Sequence, residues 1–200
     1  MKSFKDKVSE SVSFIQRHTH TFPKIGLLTG TGLGESVAFF ETVKTFCYHE
    51  IPHFPISTVE SHPGRLLFGN AQGLNIIAMQ GRFHLYEGYT PLEVTFPVRV
   101  MQELGVKILI LSNAAGGLNP KFQAGDIMLI TDHINLTGSN PLIGQNEKTW
   151  GIRFPDMGQA YNNNLLKISE SIGREIGIRL GKGVYVGLKG PSLETPAEMR

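Results

Sequence analysis

The stretch LNIIAMQGRFH, residues 74–84, joins an apolar run directly to a polar loop. Residues 74–80 are too few for a typical helix, and a short apolar run bounded by turn residues is typical of a buried strand. Similar runs, each also predicted to be a strand, cover residues 25–29, 107–112, 126–131 and 184–188. All of these strands except 126–131 end at a polar or glycine-rich loop.

Helices are predicted between the strands. Apolar residues at helical spacing predict an amphipathic helix over residues 3–17, and further helices are predicted over 91–103 and 161–178. Strands that alternate with helices along one chain indicate an α/β fold with a central mixed β-sheet flanked by helices. The sequence has no internal repeat or linker, so we predict a single domain over residues 1–200.

The composition is that of a globular protein without a nucleic-acid or membrane partner. The chain is 40% hydrophobic and 18% charged, with a formal net charge of +2 and no cluster of Lys and Arg. The N-terminal segment carries charges where a signal peptide would be apolar. The single cysteine, Cys47, can form no internal disulfide, which fits a reducing compartment. We therefore expect a soluble cytoplasmic protein.

The loops after the predicted strands carry groups suited to an anion. In open α/β sheets, ligands bind beyond the carboxyl ends of the strands, so these loops are expected to form one composite site. GTGLG at residues 30–34 offers main-chain donors and a hydroxyl, although alone it fits a tight turn without a ligand equally well. Arg82 and His84 add a guanidinium fork and an imidazole. This set of donors favours phosphate.

Two further loops follow the remaining strands. NAAGG at residues 113–117 leaves main-chain donors accessible beside small side chains, although close helix-to-strand packing would need the same residues. Glu194 precedes a capping box at 195–198, where the helix dipole favours a solvated carboxylate in any case. The sequence has no metal-binding pattern and no serine or cysteine nucleophile motif. The chemistry is therefore expected from a substrate that brings its own nucleophile.

Five blocks in chain order closely resemble the trimeric class of purine nucleoside phosphorylases. They are GTGLG at 30–34, GRFHLYEGY at 81–89, NAAGGLNPKF at 113–122, GDIMLITDHIN at 125–135 and GPSLETPAE at 190–198. The resemblance implies a nucleoside phosphorylase fold, a homotrimer and a role in purine salvage. It implies phosphorolysis of 6-oxopurine ribonucleosides or deoxyribonucleosides, such as inosine and guanosine, to the free base and pentose 1-phosphate. Orthophosphate is then a co-substrate, and no cofactor or metal is expected.

The resemblance also implies roles for individual residues. The phosphate-binding residues would be Thr31, His62, Arg82, Phe83, His84 and Ala114. The pentose would contact Tyr86, Tyr185 and, from a neighbouring subunit, Phe154. The base would contact Ala114, Leu193 and Glu194, and the catalytic residues would be His84 and Glu194. Leu193 stands where relatives often carry an aromatic residue, so weaker base stacking is expected.

Two alternatives remain open from the sequence. A methylthioadenosine phosphorylase of the same fold would prefer 6-aminopurines, and Glu194 argues against it because a carboxylate cannot donate to N1 of adenine. An inactive nucleotide-binding fragment is the second alternative. It is suggested by the chain ending at Arg200, a few residues after a helix begins, where the C-terminal part of the family domain is expected to be missing.

Overall fold

Five strands form a mixed sheet in the first of two compact units. The computed structural model describes residues 2–30, 32–58 and 63–200, and it divides into Met1–Ala114 and Ala115–Arg200. The strands of the first unit are β1 (Ile25–Thr29), β2 (Glu41–Cys47), β3 (Arg65–Ala71), β4 (Leu74–Gln80) and β5 (Ile108–Leu111). Their order is β2-β3-β4-β1-β5, with β1 parallel to β4 and β5, and β3 antiparallel to β2 and β4. The predicted α/β fold with a central mixed sheet is confirmed.

A tight hairpin explains why β3 and β4 are antiparallel. Ala71 pairs with Leu74, and only Gln72 and Gly73 lie between them, at φ angles of 51° and 83°. Positive φ at both central residues is typical of a two-residue hairpin turn whose twist matches that of the flanking strands. The strands β2 and β3 were not predicted from the sequence, whereas β1 and β4 have the predicted bounds.

Two helices begin at well-formed caps in the first unit. In α1 (Phe4–His18), the Ser3 hydroxyl accepts a hydrogen bond from the Asp6 amide, and in α2 (Pro91–Glu103) Thr90 caps the helix in the same way. Pro91 occupies the first helical position. Proline has no main-chain N–H, but an N–H at this position would have no partner within the helix, so no hydrogen bond is lost. The prediction for α2 is confirmed at both ends, and α1 is shifted by one residue from the predicted range.

Apolar side chains cover the sheet. Val8 and Ile15 of α1 are fully buried, as are Phe68 and Ile77 of the central strands. A second cluster consists of Val37, Phe40, Leu67, Ile76 and Ala78. Burying one such large side chain contributes about 1.5–3 kcal/mol, so this core holds the strand ends in fixed positions.

The second unit is a βαβ arrangement. Its strands β6 (Ile127–Asn135) and β7 (Leu180–Gly187) are parallel and are connected through α3 (Asn163–Glu175); a short α4 (Pro196–Met199) follows. The predicted ranges 126–131, 184–188 and 161–178 therefore identified the right elements, but β6 extends further, β7 begins earlier and α3 is shorter. The assignment of the whole chain to a single domain stays a prediction.

No helix within residues 2–30, 32–58 and 63–200 is long and apolar enough to cross a membrane.

Candidate active site

The carboxyl ends of three parallel strands lie side by side in the first unit. Thr29 at the end of β1 pairs with Gln80 at the end of β4, and Leu28 pairs with Leu111 at the end of β5. The chain leaves all three strands at the same edge of the sheet. The loops that follow are the ones expected to bind an anion, and the structure brings them together.

Gly30 is the point at which these three loops meet. A Cβ atom at this position would lie 2.8 Å from the carbonyl oxygen of Ser112, 2.9 Å from Cα of Asn113 and 3.0 Å from Nη2 of Arg82. Contacts this short with main-chain atoms leave no room for any side chain. Glycine is therefore required here for close approach, and the Arg82 guanidinium lies near Gly30.

The glycine-rich loop forms a turn that is held from the neighbouring strand. The Leu33 amide donates to the Gly30 carbonyl at 3.0 Å, and Gly32 adopts a φ of +75°. The side-chain amide of Gln80, at the end of β4, donates to the Gly34 carbonyl at 3.0 Å. Thr31 of this loop and His62 lie outside the described residues.

His84 is oriented by a carboxylate that sequence reasoning did not single out. The Glu87 carboxylate oxygen Oε1 lies 2.8 Å from both the main-chain amide and Nδ1 of His84. Because an ionised carboxylate only accepts hydrogen bonds, Nδ1 must carry the proton in this contact. The imidazole also stacks on the Tyr86 ring, with centroids 4.7 Å apart and planes 16° apart. A ligand bound by the His84 ring would therefore meet Nε2.

Glu87 stays ionised although its side chain is only 1% exposed. Burial raises the pKa of this carboxyl, but hydrogen bonds from Thr58 and His84 outweigh burial and hold the pKa below its usual value. Burial and the Glu87 charge raise the pKa of Tyr86, against an opposing effect of Arg82. The site therefore combines an anionic support beneath His84 with a neutral phenol beside it.

Phe83 has a structural side chain. Its ring is 3% exposed and packs against Tyr48 and Tyr89 at centroid distances of 5.1 and 6.1 Å. A contact between Phe83 and phosphate would therefore have to use the main chain.

The loop after β5 is anchored to β1. The Ser112 amide donates to the Leu28 carbonyl at 2.9 Å, and the Asn113 side chain donates to the Ala114 carbonyl at 3.0 Å. Ala114 itself is exposed. This arrangement places Ala114 directly after the residues that contact Gly30.

Four of the residues expected to contact base and pentose, Phe154, Tyr185, Leu193 and Glu194, lie in the second unit, whereas Tyr86 and Ala114 lie in the first. Tyr185 is half-buried within β7, next to His133 of β6, and Glu194 is exposed before α4. Leu193 and Phe154 are 87% and 85% exposed. The loop before Phe154 is held by Arg153, whose guanidinium donates to the carbonyls of residues 142 and 144 at 2.8 and 2.9 Å.

Comparison with known proteins gives consistent matches. A sequence model for the phosphorylase superfamily matches residues 24–200. Purine nucleoside phosphorylase 1 of Bacillus subtilis is 53% identical over 196 residues, which cover 98% of this chain and 72% of the relative. The purine nucleoside phosphorylase of Schistosoma mansoni in complex with adenosine superposes with a TM-score of 0.91 at 42% identity, over 97% of this chain and 70% of that one. A schistosome purine nucleoside phosphorylase in complex with hypoxanthine gives a TM-score of 0.90 at 42% identity, with the same coverage.

Proposed function

The chain belongs to the phosphorylase superfamily, among the purine nucleoside phosphorylases, and we propose that its three converging loops bind the orthophosphate that cleaves a purine nucleoside. The reaction of such an enzyme transfers a pentosyl group from purine to phosphate. The observation that carries the assignment of the phosphate site is the meeting of Arg82 and Asn113 at Gly30, beside the His84–Glu87 pair.

The proposed phosphate site uses donors of three kinds. Arg82 can offer two parallel N–H groups, which match two phosphate oxygens better than a lysine would. Main-chain amides of the loops at Gly30 and Ala114 are proposed as further donors, and His84 is proposed to contribute its imidazole. Thr31 and His62 are proposed to complete the site.

The chemistry requires little beyond alignment and electrostatic stabilisation. Phosphate is anionic at neutral pH and can attack the anomeric carbon once it is held in line with the glycosidic bond. As that bond lengthens, positive charge develops on the pentose and negative charge on the purine. The bound phosphate stabilises the first, and a hydrogen bond between Glu194 and N1–H helps to hold the departing base. No cofactor or metal is proposed.

Glu194 is proposed to select 6-oxopurines. Its carboxylate can accept from N1–H of hypoxanthine or guanine and from the 2-amino group of guanine, whereas N1 of adenine is itself an acceptor. The schistosome relatives are described with adenosine and with hypoxanthine, so occupancy of a crystal does not decide between bases. The relative rates at which inosine and adenosine are cleaved do decide between bases. They also distinguish this proposal from a methylthioadenosine phosphorylase, which would prefer 6-aminopurines.

Phe154 is proposed to contact a neighbouring subunit's pentose site in a homotrimer. Its 85% exposed ring, on a loop held by Arg153, supports this role. Light scattering that shows an active monomer would contradict it. Tyr86 and Tyr185 are proposed to line the pentose, with Leu193 beside the base. A cytoplasmic location also remains a proposal.

Product analysis tests the proposed function. The protein is incubated with inosine in the presence and absence of phosphate, and hypoxanthine and sugar products are separated by chromatography. We expect hypoxanthine and ribose 1-phosphate in equal amounts, with almost no reaction when phosphate is omitted. Release of free ribose, or of base without phosphate, would indicate a hydrolase instead.

A further inference from the structure

The segment at residues 56–58 is bound to the loop that carries His84. The Tyr89 hydroxyl donates to the Ile56 carbonyl at 2.7 Å and accepts from the Ile56 amide at 3.1 Å. Two residues later, the amide and hydroxyl of Thr58 donate to Oε2 of Glu87 at 2.8 and 2.6 Å. Four hydrogen bonds therefore connect two stretches that are about thirty residues apart in sequence.

The two carboxylate oxygens of Glu87 accept hydrogen bonds from different residues. Oε1 accepts both hydrogen bonds from His84, and Oε2 accepts both from Thr58. A buried carboxylate that loses a donor is left with an unsatisfied charge, which favours rotation toward another partner or uptake of a proton. Either change would disturb the oxygen that holds Nδ1 of His84.

We propose that Thr58 is a positioning residue for phosphorolysis, acting through Glu87 to hold the His84 imidazole in its working orientation. The inference rests on the proposed function, because it assumes that His84 contacts phosphate or pentose. Tyr89 supports the same arrangement from a distance by holding the main chain of Ile56. Neither Thr58 nor Tyr89 needs to touch the substrate.

The ionisation of Glu87 gives this proposal a pH signature. Among residues 2–30, 32–58 and 63–200, the titratable groups that face this carboxylate are His84 and Tyr86, and Arg82 lowers the pKa of Tyr86. Against the effect of burial, the bonds from Thr58 and His84 lower the pKa of Glu87. Without the Thr58 hydroxyl, Glu87 should take up a proton at higher pH. As the pH is lowered, activity that depends on the Glu87–His84 contact should therefore be lost at a higher pH than in the unmodified protein.

The test compares Thr58→Val with Thr58→Ser. Valine keeps the shape and removes the hydroxyl, whereas serine keeps the hydroxyl. We expect Thr58→Val to lower kcat/KM for inosine by about tenfold at neutral pH, the order expected for one hydrogen bond to a charged group. The acid side of the pH profile of Thr58→Val should move to higher pH. Thr58→Ser should have the kcat/KM and the pH profile of the unmodified protein. Thr42→Val, on β2 and outside the site, is the matched control and should resemble the unmodified protein.

Three further outcomes are decisive. If the unmodified protein is active and Thr58→Val equals it in rate and pH profile, the inference fails. If serine loses as much activity as valine, the hydroxyl is irrelevant and the inference also fails. If Thr58→Val does not fold, Tyr89→Phe replaces it. We expect the acid side of its pH profile of activity to shift in the same direction, but by less. An unshifted acid side would overturn the proposal.

Imidazole NMR separates this inference from the proposed function. An unmodified protein without phosphorolysis would refute the proposed function alone. In that case the imidazole 15N signals of His84 should still show a proton on Nδ1 in the unmodified protein. These signals should change in Thr58→Val. Unchanged His84 signals in this variant would overturn the inference whatever the activity.

Discussion

The buried hydroxyl of Tyr48 donates a hydrogen bond to the main-chain carbonyl of Gly81, 2.6 Å away. Gly81 is the first residue after β4, so this bond fixes the point at which the chain turns toward Arg82 and His84. Burial raises the pKa of Tyr48, which keeps the donor protonated throughout the physiological range. The loop that carries Arg82 and His84 is therefore positioned by the core beneath it.

Tyr48→Phe should destabilise the protein and weaken phosphate use together. The substitution keeps the ring but leaves the Gly81 carbonyl without this donor, a loss of about 1–3 kcal/mol. We expect a lower denaturation midpoint in urea and a raised KM for phosphate. A destabilised variant with an unchanged KM for phosphate would show that Tyr48 serves stability alone.

Gly30→Ala should disrupt the meeting of the three loops. The added methyl group would overlap the Ser112 carbonyl and Cα of Asn113, and overpacking of this kind costs about 1–3 kcal/mol. We expect reduced stability and weaker phosphate binding by calorimetry. Gly187→Ala is the matched control for stability, because its Cβ would have only ordinary contacts, the nearest at 3.6 Å. Equal stability of the two variants would contradict the crowding at Gly30.

Part of this fold was predictable because its signals are local. The start of α2 follows from Thr90, Pro91 and Glu93, which form an N-terminal cap within four residues. The strand β2 was missed because its identity depends on pairing with β3, which is distant in sequence. The strand β3 was missed although its apolar run at residues 66–68 and its two-residue turn to β4 are local signals. On β2, an edge strand, only one of seven residues is buried, so the apolar pattern is weak.

The same difference applies to the site. Arg82 and His84 were identified because they follow an apolar strand, which is visible in the sequence. Glu87 could have been found from its spacing of three residues after His84, the same spacing as in a helix cap. Thr58 gave no signal, because its bond to Glu87 spans 29 residues.

Protonation of Glu87 should lower the stability of the protein at acidic pH. Its pKa is lowered in the folded protein, so its contribution is fully present above the unfolded value of about 4.3 and is lost as pH falls through the folded value. Glu87→Gln lacks this titration. We therefore expect Tm of the unmodified protein to fall more steeply below about pH 5 than Tm of the variant. Parallel curves would show that Glu87 is not a hydrogen-bonded anion.

Base choice should depend on Glu194. A site built to accept a hydrogen bond can reject a base that lacks the donor by a factor on the order of 10⁴, so inosine should be cleaved and adenosine nearly ignored. Glu194→Gln should narrow the gap by offering an amide donor to N1 of adenine, and Glu194→Ala should lose activity on both. The measurement is kcat/KM for each nucleoside. Equal use of adenosine by the unmodified enzyme would refute this role.

The loops that meet at Gly30 are proposed to bind the attacking phosphate, and the phosphate concentration needed to saturate inosine cleavage by Arg82→Lys measures their contribution. Lysine keeps the charge but cannot reproduce the guanidinium fork, so KM for phosphate should rise by roughly ten- to a hundredfold. KM for inosine should change little. Arg174→Lys, in the last turn of α3, serves as the control. An Arg82→Lys enzyme with the phosphate dependence of the unmodified protein would contradict the claim.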